Sequence, residues 1–163
     1  MTTEPREDEG RLDTFIEEAV RALGFLRDRY GFGAPSTEID RRAATVTVRF
    51  TKDSVAIEAI HDLREGDVEL KVARLESARE PDAYQVDRRG RRCRGNLVEI
   101  LMKRGVRRFG LTQPAAGEVP KVRFSRLLGQ YAKLLQEHGA DILSGSAEAL
   151  DSLSAPTIPR PSS

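Results

Sequence analysis

Catalytic and metal chemistry have little to draw on in this chain, which holds two histidines, His61 and His138, and a single cysteine, Cys93, among 163 residues. One cysteine forms no internal disulfide, which fits a reducing compartment. The histidines lack helical metal-ligand spacing and Cys93 has no CxxC companion, so no zinc site is expected. Gly24, Gly31 and Gly33 do not fit GxGxxG and follow no strand, and neither GxSxG nor a Walker A sequence occurs. No dinucleotide, hydrolase or P-loop fingerprint is therefore present, and no cofactor is expected. Also missing is any run approaching the ~20 apolar residues that span a bilayer. The acidic stretch from Met1 to Gly10 lacks the apolar segment of a signal peptide. A cytoplasmic protein with no membrane attachment is expected.

What the chain does hold is charge, 33% of its residues, beside 39% hydrophobic residues, which is the balance of a soluble globular protein. Its length suits one domain, since domains cluster at roughly 100 to 150 residues. The net charge is only +1, but it is segregated. Residues 1–20 carry seven acids against Arg6 and Arg11, whereas residues 88–108 carry nine bases against Glu99. Five of the seven residues from Arg88 to Arg94 are arginine. Because 22 of the 27 basic residues are arginine, part of that density reflects an arginine-rich composition.

Hydrophobic periodicity divides the chain into elements. Residues 1–11 read as a disordered tail, and Thr14 with Glu17 has the spacing of a capping box. Leu12, Phe15, Ile16, Ala19, Val20, Leu23, Leu26 and Tyr30 follow at three-and-four spacing, which predicts one amphipathic helix stopped by Gly31. The period then falls to two: Val46, Val48 and Phe50, then Val55, Ile57 and Ala59, then Val68, Leu70 and Val72. Short polar turns between these runs imply an antiparallel meander, because a parallel pair needs a crossover of a dozen or more residues. Glu80-Pro81-Asp82 reads as a turn, and Tyr84 to Val86 as a short edge strand. Asn96 offers a cap, with Glu99 three residues on, to a helix ending at Gly105. Leu111 to Lys121, with Pro114, Gly117 and Pro120, reads as a loop. Spacing from Phe124 to Leu143 predicts a helix over about 125–144 that passes through Gly139 and ends at Gly145. Ser146 would cap a last turn carrying Leu150 and Leu153, and 155–163 reads as a second disordered tail. The expected architecture is a single α+β domain over 12–154: an N-terminal amphipathic helix, a three- to four-stranded antiparallel meander sheet, and two to three C-terminal helices.

Candidate chemistry is sparse against that frame. His61 closes the second strand and His138 lies near the end of the long helix, where each reads as a structural residue. Asp67 and Glu69 share one strand face, and that alternation sends them to solvent as solubilising acids. The arginines remain. Arg88, Arg89, Arg91, Arg92 and Arg94, with Arg104, Arg107 and Arg108, are the candidate partner-binding residues, a cationic surface for carboxylate or phosphate groups. Arginine neighbours also lower a thiol pKa, so modest reactivity is expected of Cys93.

The helix ending in Tyr30-Gly31-Phe32, the strand around Val46, Val48 and Phe50, and the run Tyr131-Ala132-Lys133-Leu134-Leu135 to Ile142-Leu143-Ser144-Gly145 resemble a group of small bacterial proteins of unassigned activity. Some members of that group are regarded as immunity proteins that neutralise a toxin encoded nearby. The resemblance spans most of residues 13–153, supplies no catalytic residue, and does not extend to the basic stretch 88–108. It implies a non-catalytic protein-binding domain, and the arginines suggest an acidic protein partner. The alternative is a nucleic-acid-associated protein using the same basic residues, disfavoured because only Phe109 supplies a nearby aromatic and no helix-turn-helix, RRM or OB pattern appears. A third reading, an enzyme with a site near His61, requires a concave pocket there.

Overall fold

Three alternating runs pair as expected, and the sheet they form gains a strand on each side. The computed structural model describes residues 5–75, 94–112 and 115–146, with side chains from Glu9 onward. The elements are α1 (Pro5–Ala22), α2 (Gly24–Tyr30), β1 (Ser36–Asp40), β2 (Thr45–Lys52), β3 (Val55–Asp62), β4 (Val68–Arg74), β5 (Arg94–Asn96), α3 (Leu97–Lys103), α4 (Pro120–His138) and α5 (Ala140–Leu143). All strands are antiparallel, in the order β1-β2-β3-β4-β5. The fold is α+β, with helices on one face of the sheet.

Alternation sends Val46, Val48, Phe50, Ile57, Leu70 and Val72 to that face, where all are buried. Phe15, Ala19 and Leu23 of α1 and Phe124, Leu128 and Leu135 of α4 close over them in one core. Two strand-to-strand turns share a device: the strand-ending Asp40 accepts from the amides of Arg42 and Ala43, and the strand-ending Asp62 from those of Arg64 and Glu65. Each carboxylate takes up amides that the turn would otherwise leave unpaired.

Several boundaries differ from expectation, each for a physical reason. Helix α1 begins at Pro5, so the segment read as a tail over 1–11 is helical from there, and Thr14 lies inside it. Its hydroxyl donates 2.7 Å to the Gly10 carbonyl one turn back and caps nothing. Proline at a first helical position and acids in the first turns suit a helix start. The expected continuous helix to Tyr30 is broken at Leu23, and α2 ends as foreseen at Gly31, which is left-handed (φ 75°). Strand β1 was not foreseen, because all five of its residues are exposed and it has no apolar alternation to read. Helix α4 starts at Pro120, inside the stretch read as a loop, with proline in the first turn where its missing N–H costs nothing. It stops at His138, short of Gly139, and Gly145 (φ 80°) ends the helical region as expected. Asn96 caps α3 as expected, its side chain accepting 2.8 Å from the Val98 amide. The turn at Glu80-Pro81-Asp82, the strand at Tyr84–Val86, Cys93, the last turn with Leu150 and Leu153 and the tail 155–163 lie outside the described residues.

Candidate functional site

The face of the sheet away from the helices carries a row of polar side chains. Register places Ser36, Arg49, Glu58, Lys71 and Asn96 opposite one another across β1 to β5. At its centre Glu58 is 2% exposed and Arg49 7% exposed, unusual burial for charged groups. The Arg49 guanidinium donates to Glu58 Oε2 through Nε (3.1 Å) and Nη2 (2.8 Å). Arg94, entering from β5, donates through Nε to Oε1 (2.7 Å) and through Nη2 to Oε2 (3.3 Å). One buried carboxylate therefore binds two guanidinium groups, and Glu38 on β1 stands 3.5 Å from Arg49. Beside them Glu69 accepts from Asn96 (3.0 Å) and lies 3.3 Å from Lys71. The cluster joins four strands, β1, β2, β3 and β5, by charge-assisted hydrogen bonds of the strong, geometrically specific kind.

The expected basic surface divides. Arg94 is committed to Glu58. Arg104, at the end of α3, makes a two-pronged pair with Asp141 of α5 at 2.8 and 2.7 Å. Burial is the largest single influence on Asp141 and opposes its ionisation, but the hydrogen bond and charge of Arg104, together with the backbone amides of Ile142 and Asp141, outweigh it and hold the carboxyl below its ordinary value. Arg94 and Arg104 are thus tied to separate acids on separate elements. Arg107 and Arg108 are exposed, beside Phe109, which packs against the core. Arg88, Arg89, Arg91 and Arg92 lie outside the described residues.

A further cluster gave no sequence signal. Arg126 of α4 donates to both oxygens of Glu118 (2.7 and 2.9 Å) and to the Thr112 carbonyl (2.9 Å), fastening the segment before α4 to that helix. The Arg126 hydrogen bond is the main cause that lowers the Glu118 pKa.

His61 faces the core. It is 1% exposed, its ring centroid 5.2 Å from that of Phe15 and 4.8 Å from that of Phe124. A site built on an accessible imidazole has no opening there. Asp67 is exposed, in keeping with a solubilising role, whereas Glu69 is half-buried in the polar row. Among the described residues no three His, Cys, Asp or Glu side chains gather as a metal site, and no helix is long and apolar enough to cross a membrane. No protein-family model, curated protein or solved structure matches the chain.

Proposed function

We propose that this is a non-catalytic protein-binding domain of the immunity type, whose arginine-rich stretch engages an acidic surface on its partner. The observation that carries the reading is the fate of the arginines at its borders. Arg94 is pinned to Glu58 at the edge of the sheet, and Arg107 and Arg108 stand in solvent without an acid partner among the described residues. Arg94 thereby acts as an anchor for the stretch that begins at Arg88, and the recognition charge resides in Arg88, Arg89, Arg91, Arg92, Arg107 and Arg108. Planar guanidinium groups suit two-pronged pairing with carboxylates. Charge steering of this kind raises association rates and falls with ionic strength.

The test separates anchor from recognition. A variant with those six arginines changed to serine, retaining Arg94 and Arg104, is expected to fold normally and to lose capture of an acidic protein from the source cytosol. An unchanged set of captured proteins removes the arginines from the account. Titration with duplex DNA and with single-stranded RNA decides the nucleic-acid alternative. Phosphate binding shows log affinity falling linearly with log salt, by about 0.9 per duplex phosphate contacted.

A further inference from the structure

At His61 the sheet meets two helices through aromatic rings. Its imidazole belongs to β3, Phe15 to α1 and Phe124 to α4, and Phe15 and Phe124 also meet each other edge-on at 5.3 Å. The His61 Nδ1 lies 3.1 Å from the Asp67 carbonyl oxygen. A carbonyl can only accept, so Nδ1 carries the hydrogen and Nε2 presents a bare lone pair. That Nε2 is buried and has no hydrogen-bond partner. A neutral imidazole in that position forgoes one hydrogen bond but buries no charge. An imidazolium would place a second N–H, and a charge, where nothing accepts it.

The charged groups around the ring reinforce this. Arg11 of α1 and Arg123 of α4 oppose a positive charge on His61, while Asp62 and the Asp67 carbonyl favour one. Burial is the largest influence, and the net effect is a pKa below the ordinary histidine value. Arg123 also has its own Nε buried without a partner, so α4 brings an unpaired cationic donor toward the turn that holds Asp67.

We propose that His61 is an acid-sensitive latch: protonation of its buried ring loosens α1 and α4 from the sheet while the strand ladder stays paired. The strands hold one another through backbone hydrogen bonds, whereas α1 and α4 meet the sheet here through the Phe15 and Phe124 rings and the Tyr131 hydroxyl, which donates 3.2 Å to the Val68 carbonyl, a packed contact in which a buried imidazolium is penalised. The sign follows from linkage. A histidine whose folded pKa is depressed contributes nothing adverse above about pH 6.5, and the packed form weakens as pH falls from there to the folded pKa, by up to tenfold per pH unit for one proton.

The test uses the full chain carrying His138→Gln, which leaves a single imidazole to follow by NMR, together with amide hydrogen exchange corrected for intrinsic rates. The expected result is a His61 midpoint below about 6.5. Protection of α1 and α4 amides should fall up to tenfold per pH unit across the window between them, while β2 and β3 amides hold. His61→Phe, which keeps an aromatic ring and cannot titrate, should flatten the helix response between pH 7 and 5. The latch is overturned by a midpoint at or above 6.5 with protection intact, by strands opening in step with the helices, or by a Phe variant that responds like the parent. Should the Phe variant fail to fold, the titration and exchange of the parent decide the matter alone.

Discussion

At the scale of single residues, the structure turns on which charges are satisfied inside it. Glu58 sits among apolar neighbours in a strand whose alternate residues Val55, Ile57 and Ala59 face the core, so sequence periodicity assigns it to solvent. It is nevertheless buried, because register brings Arg49 directly opposite and β5 brings Arg94, and neither pairing is visible within one strand. Replacing Glu58 with alanine removes the buried carboxylate that both guanidinium groups share, and the exposed Glu38, 3.5 Å from Arg49, replaces it only in part. We expect a loss of about 3 to 5 kcal/mol in urea denaturation, the range for breaking a buried ion pair from one side. Adding Arg94→Ala to that variant should cost less than Arg94→Ala alone, since the charge removed is then unpaired. Strict additivity would mean that Glu58 and Arg94 do not act together. Lys52 is a second residue whose role comes from distant chain: its ammonium donates to the carbonyls of Tyr30 and Leu143, at the C-terminal ends of α2 and α5, and lies 5.8 Å from the centre of the Phe32 ring. Lys52→Met should therefore lower stability by about 2 to 4 kcal/mol, the sum of a helix-end charge effect and a charged hydrogen bond, with thermal unfolding as the measurement.

At the scale of elements, what could be read from sequence was whatever rests on local chemistry. The Asn96 cap, the stops at Gly31 and Gly145 and the three apolar strands all follow from interactions within a few residues. Strand β1 could not be read in that way, since its pairing with β2 is long-range and its side chains are all exposed. Pro120 shows the other failure: the same residue breaks a helix interior and suits a helix start, and only the structure says which applies. Gly139 gives an element-scale test. In a regular helix, glycine to alanine stabilises by about 1 kcal/mol. Here an added Cβ would lie 2.8 Å from the Leu135 carbonyl oxygen, where α4 gives way to α5. Gly139→Ala should therefore destabilise, by about 1 to 3 kcal/mol as for overpacking a tight site. A neutral or stabilised variant would show that the helix runs on through this position. The Arg104–Asp141 pair that joins α3 to α5 lies at the surface, with Asp141 48% exposed, so Arg104→Ala should cost less than about 1 kcal/mol despite its two-pronged geometry.

At the scale of the whole molecule, a net charge of +1 conceals an arrangement that composition cannot show. Arg94 is neutralised by an acid 36 residues away and Arg104 by one 37 residues away, so the basic stretch is partly consumed in holding the fold. The concentration of arginine was legible, but which of its described members pair with acids was not, because that depends on which acids the topology delivers. The same distribution fixes the response to acid. Asp62 is held below its ordinary pKa by the amides of Glu65 and Arg64, Glu118 chiefly by Arg126, and Asp141 by Arg104 against the effect of burial. A carboxyl whose folded pKa is depressed contributes stability above its unfolded value, near 4, and loses it as pH falls toward the folded value. The effect of His61 begins at higher pH, just below about 6.5. Denaturation midpoints measured from pH 7 to 3 should therefore fall in two stages. Glu118→Gln with Asp141→Asn should shrink the lower stage and leave the upper one in place. If the double variant removes the upper stage instead, the assignment of that stage to His61 is wrong and the carboxylates must titrate far above their ordinary range.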